Sequence, residues 1–134
     1  MAREIVGAPD WEKLDWQETP YEGVFVNKLE EIINPDNPRV PFSTTMAVKV
    51  DPGASIPLHY HLREIEWREK LSFPPFGDFE ILKVSGPQSL PGIRNLTIIA
   101  GEILGLKNND FRPLFFTSRM TPGFTGYDEI KEIS

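Results

Sequence analysis

The two histidines of this chain, His59 and His61, stand two positions apart, and carboxylates follow at Glu64 and Glu66. Neutral imidazole nitrogens and carboxylate oxygens bind divalent first-row metals, and imidazole also moves protons near neutral pH. If residues 56–61 are extended, the period-two alternation of a strand turns His59 and His61 to one face and Tyr60 to the other. A reversal around Leu62 to Glu64 and a second strand would return Glu66 to that face. The result is a 2-His-1-carboxylate set, His59, His61 and Glu66, with open positions for water and substrate. Such a centre supports Lewis-acid or oxygen chemistry. Glu64 becomes the substitute ligand if the register slips by two.

The second strand admits two registers. With Glu66 inward, alternation also turns Arg68 and Lys70 inward, so the interior is charged. A buried Lys70 amine can then serve as a base or form an imine, with Arg68 and Glu66 available as an internal ion pair that competes with metal for the carboxylate. With Trp67, Glu69 and Leu71 inward, Glu66 leaves the histidines, and Arg68 and Lys70 face solvent. Both registers stand at the level of sequence.

The elements that must position these groups are short strands. Ten glycines and thirteen prolines punctuate brief apolar runs, a pattern of strands and turns rather than long helices. Residues 23–29 read as a strand, 30–37 as a turn broken by Pro35 and Pro38, and 43–50 as the clearest strand, with Met46, Val48 and Val50 on one face. Asp51-Pro52-Gly53 supplies turn chemistry before the histidines. Further strands are expected at 79–84, 96–100 and 113–120, with a proline-bearing loop at 85–92 and a turn at 107–110. A terminal helical turn is expected at 127–133, and residues 5–20 form a short strand or an arm over the barrel.

Gly53, five residues, His59, one residue, His61, four residues, Glu66 resembles the first signature motif of the cupin superfamily. Gly101-Glu-Ile-Leu104-Gly-Leu-Lys-Asn108 resembles the second in its glycine and its asparagine, and Phe115 through Thr121-Pro-Gly-Phe124 resembles the closing strand and its exit. The resemblance spans residues 45–128. It implies an all-β fold, the double-stranded β-helix or jelly-roll barrel, as one domain over 1–134 with an N-terminal arm at 1–22. It also implies a divalent metal, Fe, Mn, Ni or Zn. The second motif departs from the pattern: Leu104 stands where its metal-binding histidine is usual, and Ile99 where its proline is usual. With two histidines in the whole chain, the four-ligand site is ruled out and a three-ligand site is not.

Composition narrows the partners. A chain of 134 residues with a formal net charge of −6 suits one globular domain and disfavours nucleic acid and anionic membranes. Without cysteine there is no disulfide, thiolate ligand or cysteine nucleophile. The N-terminal residues lack a signal-peptide apolar stretch, so a cytoplasmic location is expected. Asn95-Leu-Thr97 is read as a chance tripeptide. Ile98, Leu104 and Leu106 make the wall facing the histidines apolar, which suits a hydrophobic or aromatic small molecule. Tyr60, Trp67, Phe79, Phe115 and Phe116 are read as core or subunit contacts, and no nucleophile-elbow motif marks a serine hydrolase. Three functions follow. The first is metal-dependent oxygenase or isomerase chemistry at His59, His61 and Glu66. The second is a metal-free, degenerate or engineered pocket using Lys70, Arg68 and Glu66. The third is a non-catalytic binding module, dimeric by strand exchange as many cupins are.

Overall fold

The computed structural model describes residues 10–75, 77–83 and 95–133. The loop expected at 85–92 lies outside them, as does the start of the expected arm. Among the described residues ten strands run in two antiparallel sheets, ordered β1-β2-β3-β9-β5-β7 and β10-β4-β8-β6. The larger sheet comprises β1 (Gln17–Glu18), β2 (Val24–Ile32), β3 (Ser43–Val50), β5 (Arg68–Ser72), β7 (Asn95–Ile99) and β9 (Leu114–Thr121). The smaller comprises β4 (Ser55–His61), β6 (Phe79–Lys83), β8 (Leu104–Asn108) and β10 (Ile130–Glu132). No helix among the described residues is long and apolar enough to cross a membrane.

The inner faces follow strand alternation. Met46, Val48 and Val50 of β3 lie with Leu114, Phe116 and Met120 of β9 against Ile81, Leu104 and Leu106 of the smaller sheet, forming one core. Side chains of both sheets interdigitate, so burial holds the two layers together. On the outer face Trp11 stacks on Phe115 and Trp16 lies tilted against it, their centroids 5.2 and 5.8 Å from its ring. The arm therefore lies over the larger sheet. The terminal helical turn is realised only as a 3-10 turn, Tyr127–Glu129, after which the chain extends into β10.

Two local features place the histidine strand. Pairing of β4 with β8 is interrupted between Ile56 and His59, where Pro57 lacks the N–H a ladder needs. The displaced backbone crowds Gly105: a Cβ there would lie 3.0 Å from Leu58 Cδ2 and 3.3 Å from Ile56 O, so a side chain at this position requires its neighbours to give way by a few tenths of an ångström. Asn108 pins the adjoining turns. Its amide donates to Val50 O (3.0 Å) and Arg112 O (2.9 Å), and its side-chain oxygen accepts from the Asp110 N–H (2.9 Å).

The second register is the one adopted by β5. Trp67, Glu69 and Leu71 are buried, whereas Glu66, Arg68 and Lys70 are exposed. The register that would turn Glu66, Arg68 and Lys70 inward, one of the two open at the level of sequence, is not adopted. The physical reason is size and polarity: the other register would exchange a buried indole and a leucine for a guanidinium and an ammonium. The Arg68 guanidinium donates instead to the carbonyls of Ile65 (2.9 Å) and Trp67 (2.8 Å), closing the turn before β5.

Candidate functional site

His59 and His61 share one buried face of β4, as alternation requires, with ring centroids 5.5 Å apart. They line a cavity of about 100 Å³ between the sheets, together with Glu69 and Ser118 and a largely apolar wall that includes Leu104 and Leu106. Glu66, Arg68 and Lys70 are not among its lining residues. The carboxylate brought to the histidines is Glu69: its Oε1 lies 3.7 Å from His61 Nε2, and its Oε2 accepts from Ser118 Oγ at 2.6 Å.

Each histidine is held from behind. His59 Nδ1 lies 2.7 Å from the Pro57 carbonyl, which only accepts, so Nδ1 carries the proton. Burial pulls the His59 imidazole below its ordinary pKa, and the bond to Pro57 offsets this only in part. His61 Nδ1 lies 2.6 Å from Glu129 Oε2 and donates to it. Its ring stacks on Trp67 at 4.5 Å, which fixes the plane of the imidazole.

Sequence alone does not single out Glu129, which falls in the helical turn expected at 127–133. It arrives through β10, whose Ile130 pairs with His61, and through a backbone bond from the Leu62 N–H to its own carbonyl oxygen at 2.7 Å. Its Oε1 accepts from Arg63 (3.1 Å), the Thr125 N–H (3.0 Å) and the Thr125 hydroxyl (2.8 Å). Arg63 also donates to Gly123 O at 2.8 Å and to Glu64 at 2.7 Å. Burial opposes charge on Glu129, but the bonds from His61 and Thr125 outweigh it and hold the carboxyl below its ordinary pKa. No local motif signals this residue, because 68 positions separate it from His61.

The donor set does not fit a metal centre as built. Leu104 stands opposite His59, and Glu66, the carboxylate expected from sequence, is in solvent. Among the described residues no three His, Asp or Glu side chains are gathered closely enough to hold an ion.

No family model matches the sequence, nor does any curated protein. Solved structures do. A conserved Klebsiella pneumoniae protein with a double-stranded β-helix domain is similar at a TM-score of 0.64 and 17% identity, over 98% of this chain and 99% of that one. The cupin domain of Schizosaccharomyces pombe Cnp3 is similar at a TM-score of 0.61 and 12% identity, over 89% and 75%. The chain has the cupin fold. A Shewanella oneidensis protein extends the likeness, at a TM-score of 0.71 and 15% identity over 92% and 81%. In this cupin barrel the paired histidines of the first motif line the cavity, and the second motif lends it Leu104.

Proposed function

We propose that this cupin barrel performs proton transfer on a small, partly apolar molecule, with His61 as the acid–base group. One observation carries the reading: a buried imidazole whose Nδ1 is bound at 2.6 Å by a carboxylate and which itself lines an apolar cavity. Glu129 fixes the tautomer, so the Nε2 lone pair remains available, and it stabilises the imidazolium formed when that nitrogen takes a proton. The Trp67 stack and the Arg63 and Thr125 bonds restrain ring and carboxylate, so little reorganisation accompanies the transfer. Of the chemistries expected from sequence, isomerase-like proton movement is the one this donor set supports.

The test is solvent exchange. Small enolisable carbonyl compounds are incubated with the protein in D₂O, and carbon-bound deuterium is followed by NMR. Wild type should accelerate exchange of a subset, and His61→Gln should lower that rate by about 10²–10⁴-fold. Exchange that survives His61→Gln, or a whole panel at the buffer rate, contradicts the reading.

A further inference from the structure

The cavity has an imbalance of hydrogen-bonding capacity that specifies its ligand. Both Nδ1–H groups are spent, His59's on Pro57 O and His61's on Glu129, so in the neutral rings both Nε2 atoms are acceptors. The Ser118 proton is spent on Glu69 Oε2. Glu69 Oε1 accepts no hydrogen bond among the described residues, its neighbour being His61 Nε2 at 3.7 Å. Two imidazole nitrogens and one carboxylate oxygen thus share this end of the cavity, and no N–H or O–H of these four side chains remains to meet them.

Charge points the same way. Among the described residues no lysine or arginine lines the cavity. The buried arginine beside it, Arg63, is committed to Glu129, Glu64 and the Gly123 carbonyl. The Glu69 carboxylate therefore has His61 Nε2, at 3.7 Å, as its basic neighbour and no lysine or arginine on the described lining, an arrangement that a bound cation relieves. The remaining hydroxyls on the lining, those of Thr19, Tyr21 and Tyr127, are uncharged, and burial pushes both phenols above their ordinary pKa. An ammonium group brings three N–H donors and a positive charge and accepts nothing, whereas a carboxylate or phosphate would meet acceptors and a like charge.

Building on the acid–base reading of the same cavity, we propose that its ligand is a small organic amine. Its ammonium donates to Glu69 Oε1 and to His59 Nε2, leaving His61 Nε2 for proton transfer, and its hydrocarbon body lies against Val48, Leu71, Leu104, Leu106, Phe116 and Met120. Anionic small molecules are excluded.

Three probes with one hydrocarbon ring and different heads test this: cyclopentylamine, cyclopentanol and cyclopentanecarboxylate, titrated by calorimetry and by NMR of the Trp67 indole. On wild type the amine should bind about tenfold or more tightly than the alcohol, as expected of a charge-assisted hydrogen bond, and the carboxylate should not bind. In Glu69→Gln the advantage of the amine should vanish. The ranking on wild type stands by itself should that variant fail to fold. Equal binding of all three heads, tighter binding of the carboxylate, no binding of any, or binding of Zn(II) with none of the amine overturns the proposal. Amine binding without solvent exchange at carbon keeps this assignment and removes the acid–base reading. Exchange confined to anionic substrates does the reverse.

Discussion

Strands β4 and β8 lie side by side, with His59 opposite Leu104, and both turn buried side chains toward the same cavity. One carries two imidazoles and the other Leu104 and Leu106. The difference lies behind the strands rather than in front of them. β4 is flanked by β10 and the turn that delivers Glu129, and it carries its own acceptor in the Pro57 carbonyl. Each histidine can therefore satisfy its Nδ1 from behind while its Nε2 stays available. β8 is flanked by β4 and β6, and its buried polar side chain, Asn108, turns to the carbonyls of Val50 and Arg112. A polar group on a cavity wall persists where a partner backs it. In this barrel the histidine strand has that backing.

The strongest way to break the comparison is to remove the backing. Arg63 and Glu129 have side chains only 4% and 3% exposed, so Arg63→Met leaves a buried carboxylate without its guanidinium. The expected loss is about 3–5 kcal/mol, read from urea denaturation. The pH dependence follows from the same residues. Glu129 titrates below its ordinary 4.5 in the folded chain, so its stabilisation is present above 4.5 and is lost as pH falls through the lower folded value. His59 titrates below its ordinary 6.5, so from 6.5 downward the unfolded chain takes up that proton first. Both terms weaken the fold on acidification. Glu129→Gln should flatten the lower limb of the stability curve and leave the upper one; an unchanged lower limb would show that Glu129 does not carry it.

The fold and half of the site were legible in the sequence, for definable reasons. His59 and His61 share a face because a strand repeats every two residues, and the glycine, proline and apolar punctuation marked β3, β4, β6, β7 and β9 within a residue or two. By contrast, β2 runs three residues into the expected turn, β8 ends inside the turn expected at 107–110, and β10 occupies the expected helical turn. The register of β5 was not fixed by alternation, since Glu66, Arg68 and Lys70 alternate as well as Trp67, Glu69 and Leu71. Packing decided it, through burial of the Trp67 indole. Glu129 was illegible because no local pattern brings a residue 68 positions away; only the pairing of β10 with β4 does so.

The comparison is sharpened by giving β8 what β4 has. Leu104→His places an imidazole opposite His59 with no partner behind it. In the absence of metal it should cost about 1–3 kcal/mol, the penalty of a buried polar group without a hydrogen bond. That imidazole would join His59, His61 and Glu69 as a donor, so Zn(II) or Ni(II) at a hundredfold excess over its dissociation constant should restore about 2.7 kcal/mol. Wild type should melt at the same temperature with and without the ion, and elemental analysis should find metal in the variant alone. An equal metal-induced rise in both proteins would show that wild type already gathers a metal centre, and the acid–base reading would then have to yield to one in which His61 is a ligand.

The smallest effect is expected on the face of β5 that looks away from the cavity. Lys70 pairs directly across from Arg119 on the exposed side of the larger sheet, and like charges facing each other across strands repel. Lys70→Met removes that repulsion without opening a cavity, so stability should change by less than about 0.5 kcal/mol. The sign should be stabilising, and the gain should shrink as salt screens the pair. Solvent exchange in D₂O should be unaffected, since Lys70 does not line the cavity. A loss of catalysed exchange in Lys70→Met, with folding intact, would place the working chemistry on the outer face of this strand and remove it from His61.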